Sequence, residues 1–106
     1  MTYSILLKNA LLDEPILHFT QEKYSDYIKR YTGTIYTVGK DVPTGSPDDV
    51  CAKFCLENDC DFLTSDKRAY DKIFSEKQIK LIEIIQILEK EPTIDRPVYR
   101  LCFKTE

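Results

Sequence analysis

TIYTV, residues 34–38, is dense in β-branched and aromatic side chains and reads as a short strand. The two glycines and two prolines of GKDVPTGSPDD then mark a loop. Ser46 with Asp49 three residues on makes the S-x-x-D form of a capping box, with Pro47 at the first helical position, so a helix is predicted to begin there. Cys51, Phe54 and Cys55 fall on its core side, it ends near Asn58, and DFLTS follows as a strand. Strand, helix and strand in that order form a βαβ unit, whose two strands run parallel under a right-handed crossover. No other feature of the chain restricts its fold as strongly.

The flanking segments extend the pattern. YSILLKNALL, residues 3–12, is apolar enough to hold a first strand, with its span left open. Pro15 suits the first turn of a helix, Tyr24, Tyr27, Ile28 and Tyr31 recur at helical spacing, and Gly33 is a C-terminal stop. After DFLTS a short helix is predicted over residues 67–74, burying Tyr70, Ile73 and Phe74, and then a strand, IKLI, over 79–82. Ile84, Ile85 and Leu88 continue as a helix to about Lys90, before Pro92. RPVYRLCFK alternates sides, and Pro97, lacking a ladder donor, suggests an edge strand over 98–103. The fold expected is α/β: three layers, α/β/α, around a mostly parallel central sheet of four to five strands.

The chain has 106 residues, 42% of them hydrophobic, which suffices for one core and argues for a single domain over 1–106. Fifteen basic and eighteen acidic residues leave a net charge of -3, unlike the basic footprint of a protein that holds nucleic acid by bulk electrostatics. Contact with an anionic polymer therefore has to be local or assisted by a cation. No run reaches the roughly 18 apolar residues that span a bilayer, and MTYSILLKNALLDE lacks the features of a signal peptide, so a cytoplasmic protein without a membrane partner is expected. In that compartment Cys51, Cys55, Cys60 and Cys102 are expected as thiols. Cys51 and Cys55 share one helical face and do not match zinc-site spacing, which favours core packing.

Ligands of such sheets bind beyond the carboxyl ends of the strands. Asp13 follows the first apolar run, Asp48 opens the helix of the βαβ unit, and Asp66 ends DFLTSD. If the first and third strands are neighbours, these three acids meet at one edge. Like charges about 4 Å apart repel by roughly 4 kcal/mol at an effective dielectric near 20, and a divalent cation relieves that repulsion. Oxygen ligation suits Mg2+ or Mn2+, either of which can activate water and polarise a phosphodiester. Lys67 and Arg68 could contact phosphate oxygens, and Thr64 and Ser65 offer hydroxyls in the same turn. Each residue also has a plain structural role. Asp48 and Asp49 can serve a helix dipole, Asp66 and Asp13 can cap helices, and Lys67 and Arg68 can be solvated surface charges.

The stretch YTVGKDVPTGSPDDVCAKFCLENDCDFLTSDKRAYDKI resembles the PIN-like nuclease superfamily, especially its short prokaryotic members related to the VapC toxins. The likeness lies in a strand, a loop, an acid opening a helix and a strand ending in T-x-D, here Thr64, Ser65 and Asp66; LLDEP, residues 11–15, is similar to the L-L-D-E-N that opens the short members. The resemblance implies a PIN-like fold and a metal-dependent ribonuclease, of the kind found as toxins in toxin–antitoxin pairs. It implies Asp13, Asp48 and Asp66 as metal-binding catalytic acids, with Asp71 as the nearest candidate for a further acid. A second alignment of YSILLKNALLD puts the first-strand acid position on Leu7 instead.

RNA, an antitoxin or other protein partner, and a second copy of the chain are the partners this reading would bring. Against it stand a PIN-like domain that binds without cutting and a receiver-like regulatory domain. The latter lacks its adjacent acid pair and its lysine after a late strand.

Overall fold

Asn9–Leu12, with three of four side chains buried, form β1. It runs parallel to β2 (Ile35–Thr37) on one side and to β3 (Cys60–Thr64) on the other. Leu12 is level with Thr37 and Leu63, so the three strands finish at one edge. The computed structural model describes residues 7–17, 22–65, 79–88 and 97–105. Beyond β3, β5 (Val98–Thr105) and β4 (Ile79–Leu88) complete a five-stranded sheet in the order β2-β1-β3-β5-β4.

The chain enters the sheet's two faces through two helices. A 3-10 turn (Glu14–Ile16) and α1 (Glu22–Ile28) lie between β1 and β2, and α2 (Asp48–Glu57) lies between β2 and β3. Strand alternation divides the core. Ala10, Leu12 and Leu63 pack with Ile16, Tyr24 and Tyr31 on the α1 side. Leu11 and Phe62 pack with Val42, Cys51, Ala52 and Cys55 on the α2 side. Leu11, Ile16, Phe62 and Leu63 are fully buried, and each contributes about 1.5–3 kcal/mol of transfer free energy.

The βαβ unit forms as its sequence predicts, with one change of detail. The Ser46 hydroxyl donates to the Pro43 carbonyl at 2.6 Å and does not cap α2. Pro47 precedes the first helical residue, and its carbonyl accepts from Val50 and Cys51 at 3.0 and 3.2 Å. At the other end Asn58 donates to the Phe54 carbonyl through its backbone amide at 3.0 Å and its side-chain amide at 2.9 Å. Cys51, Cys55 and Cys60 are packed in the α2-side core, and all four cysteines are unbridged.

Four expectations are corrected. The sheet is mixed rather than mostly parallel, because β5 runs antiparallel to both β3 and β4. Residues 79–88 form one strand, so no helix follows IKLI: the polar residues Lys80, Glu83 and Gln86 recur at every third position, which sets no strand alternation, and the segment owes its conformation to pairing with β5. The abundance of β-branched isoleucine favours the same outcome.

β5 is also an inner strand rather than an edge. Pro97 lies before its first paired residue and so costs no ladder bond, while Val98 and Leu101 are fully buried on opposite faces. The long helix expected from Pro15 onward is divided. Pro15 belongs to the 3-10 turn, α1 ends at Ile28, and Tyr31 reaches the core from beyond the helix. The helix predicted over 67–74 lies outside the described residues. Among the described residues no helix is long and apolar enough to cross a membrane.

Candidate functional site at the carboxyl edge of the parallel strands

Asp13 is the first residue past β1, and its amide donates to the Leu63 carbonyl at 3.0 Å. That bond continues the β1–β3 pairing by one residue and fixes the side chain at the strand edge. One carboxylate oxygen accepts from the Glu14 amide at 2.9 Å, capping the 3-10 turn. The other accepts from the Thr64 hydroxyl at 2.7 Å. Thr64 ends β3 and is fully buried, so its hydroxyl is turned toward Asp13. Leu7 lies before β1, buried in the α1-side core, and it is Asp13 that stands at the carboxyl edge.

Asp48 is the first residue of α2. The loop leading to it is fastened to the same edge at two points. Val38 donates its amide to the Leu12 carbonyl at 3.0 Å, and Gly45 donates its amide to a Glu14 carboxylate oxygen at 3.2 Å. The structure thus brings together the end of β1, the end of β3 and the loop entering α2.

Ser65 follows Thr64, and its hydroxyl oxygen is buried with no hydrogen-bond partner among the described residues. The carboxylate of Asp48 lies outside the described atoms, and Asp66, Lys67, Arg68 and Asp71 lie outside the described residues. Among the described residues no three ligand-type side chains are grouped to hold a metal.

Glu14 was not among the residues singled out by sequence. Its signal is its place beside Asp13 in LLDEP, where it can bond across to a loop thirty-one positions on.

A second polar cluster, also unforeseen, occupies the α1 face of the sheet. Asp61 accepts from the Tyr31 hydroxyl at 2.9 Å and from the Cys102 thiol at 3.3 Å, with the Arg100 Nε 3.5 Å away. Arg100 is buried and donates to the Tyr27 hydroxyl at 2.8 Å. Burial, reinforced by the Asp61 charge, pushes the Cys102 thiol up to about 11 and holds the Tyr31 phenol neutral well above its ordinary range. Both are therefore donors to the Asp61 carboxylate at neutral pH. The groups are directed at one another, which makes the cluster a tie between β3, β5 and the end of α1.

An open groove of about 330 Å³ lies between α2 and the loop after β2, with Val42, Pro43, Val50 and Phe54 as its apolar lining. It is bordered by Lys53 and Glu57 and does not include Asp13 or Thr64. Comparison of the chain with protein-family models, with curated proteins and with solved structures finds no match.

Proposed function

We propose that the protein is a metal-dependent ribonuclease of the PIN-like class, with Asp13, Asp48 and Asp66 as the carboxylates that hold Mg2+ or Mn2+. The observation that carries this reading is the pairing of Asp13 with Thr64 at the carboxyl ends of adjacent parallel strands. It sets the first acid beside Thr64, the first residue of the T-x-D sequence, and the Gly45–Glu14 bond brings the entrance of α2 to the same edge. The parallel order β2-β1-β3, with α1 and α2 packed against opposite faces, supports a three-layer PIN-like arrangement; the antiparallel β5 and β4 depart from it.

Asp13, Asp48 and Asp66 would hold the ion, which would supply a bound water of lowered pKa and a charge to polarise a phosphodiester oxygen. Lys67 and Arg68, following Asp66, supply cations for the substrate phosphate, with Thr64 and Ser65 at the turn. The bonds from the Glu14 amide and the Thr64 hydroxyl orient the Asp13 carboxylate at the strand edge. RNA is the substrate, and an antitoxin protein is the partner that the toxin form of this function would need.

The second reading, a PIN-like domain that binds without cutting, is favoured by the same carboxylate. The bonds from the Glu14 amide and the Thr64 hydroxyl give Asp13 a structural role as cap and strand tie. Cleavage of single-stranded RNA with and without Mn2+, by the protein and by Asp66→Asn, separates the two. Asparagine caps a helix about as well as aspartate, so the fold should persist. Mn2+-dependent cleavage that disappears in the variant supports the nuclease; cleavage retained by the variant, or absent from the unsubstituted protein, supports binding alone.

A further inference from the structure

We infer that Glu14 is a positioning residue for this metal site, one that sets the entrance of α2 against the end of β1; the inference rests on the nuclease reading. Glu14 acts in two directions at once. Its backbone amide donates to one oxygen of Asp13 at 2.9 Å, orienting that carboxylate. Its side-chain carboxylate accepts the Gly45 amide at 3.2 Å, holding the loop three residues before Asp48.

Gly45 has a positive φ of 77°, and the turn around it is closed by Ser46, whose amide and hydroxyl both donate to the Pro43 carbonyl at 3.2 and 2.6 Å. The loop is thus a shaped unit, and Glu14 connects that unit to the strand edge. Pro47, at the N-cap of α2, makes no side-chain capping bond, so the helix entrance is held by the core packing of Cys51, Ala52 and Cys55 and by the bonds of the preceding loop. A carboxylate near a helix N-terminus is also favourably placed relative to the helix dipole. Without the Glu14 side chain, Asp13 keeps its bonds to the Glu14 amide and Thr64, and the loop keeps its Val38–Leu12 bond, but the part of it nearest Asp48 loses its tie to the end of β1.

The test uses three forms of the full chain: unsubstituted, Glu14→Gln, which keeps the acceptor oxygen, and Glu14→Ala, which removes it. Hydrogen exchange of the Gly45 amide reads the bond itself, and titration with Mn2+ alone reads the site. Glu14→Gln should keep Gly45 protection and nearly the full Mn2+ affinity. Glu14→Ala should speed Gly45 exchange and weaken Mn2+ binding about tenfold, the lower end of the loss seen when a group that orients a metal ligand is removed.

Unchanged Gly45 exchange in Glu14→Ala would overturn the inference, and so would faster exchange with unchanged Mn2+ affinity. Equal loss of affinity in Gln and Ala variants would overturn it in favour of Glu14 as a direct ligand. No saturable Mn2+ binding by the unsubstituted protein would bring down the nuclease reading and the metal-positioning role with it; Gly45 exchange would still decide whether Glu14 braces the loop.

Discussion

Thr64 has no exposed surface, yet it carries a hydroxyl, and that hydroxyl donates to the Asp13 carboxylate 2.7 Å away. Thr64→Val keeps the shape and removes the donor. Because the remaining acceptor is ionised, the loss should be about 1–3 kcal/mol in urea denaturation, larger than for a neutral hydrogen bond. Gly33 is constrained in another way. It reads in the sequence as a helix stop, but α1 has already ended at Ile28. A Cβ on Gly33 would run into the Asn9 side chain and approach the Lys8 carbonyl to 2.7 Å. Gly33→Ala should therefore destabilise the fold by about 1–3 kcal/mol as the neighbours are displaced. Asp59 offers the opposite case, since its φ of 55° places a side chain in the left-handed region just past α2. Asp59→Gly should raise stability by about 0.5–1 kcal/mol, even after loss of the exposed 3.2 Å contact with Lys8.

At the scale of elements, β2, α2 and β3 were legible because each has a local signal: β-branched residues, a proline-led helix start and an apolar run. β1 was legible as a run whose limits stayed open, and its position between β2 and β3 settles that Asp13 lies at the strand edge. IKLIEIIQIL was legible at its start, where IKLI reads as a strand, but not beyond it, because Lys80, Glu83 and Gln86 carry no strand alternation and the continuation as strand is made by β5, a distant partner in sequence. The Asp61–Arg100 cluster was hidden for the same reason. Arg100 belongs to a clean alternation, and nothing near it in the chain announces that its side of β5 is buried. The cluster should be costly to break from one side. Asp61→Ala removes a carboxylate beside the buried Arg100 together with the acceptor of the Tyr31 and Cys102 donors, and should cost more than Tyr31→Phe, which removes one neutral donor and should cost about 1–3 kcal/mol. Urea denaturation of both variants checks the order.

Across the whole molecule, one core buries thiols and phenols that are stable there only when neutral. Burial first, and the charge of Asp61 next, raise Cys60 from 9.0 to about 12 and Cys102 from 9.0 to about 11; burial raises Tyr24 from 10.0 to about 12. These groups bind their protons more tightly folded than unfolded. Their contribution to stability is complete below the unfolded values near 9.0 and 10.0 and is lost as pH rises toward 11 and 12. Urea midpoints should therefore fall progressively above pH 9, in step with thiolate absorbance; a flat profile from pH 9 to 11 would contradict this.

The same molecule places Asp13, Thr64 and the entrance of α2 at one edge, and the central claim is that this edge holds a divalent ion. Mn2+ titration followed by electron paramagnetic resonance, on the protein and on Asp13→Asn, tests it most directly. Asparagine preserves the capping oxygen and removes the charge. The account predicts saturable Mn2+ binding by the protein and at least tenfold weaker binding by the variant, with the fold retained. Equal affinity in the two forms, or no saturable binding in either, would contradict it.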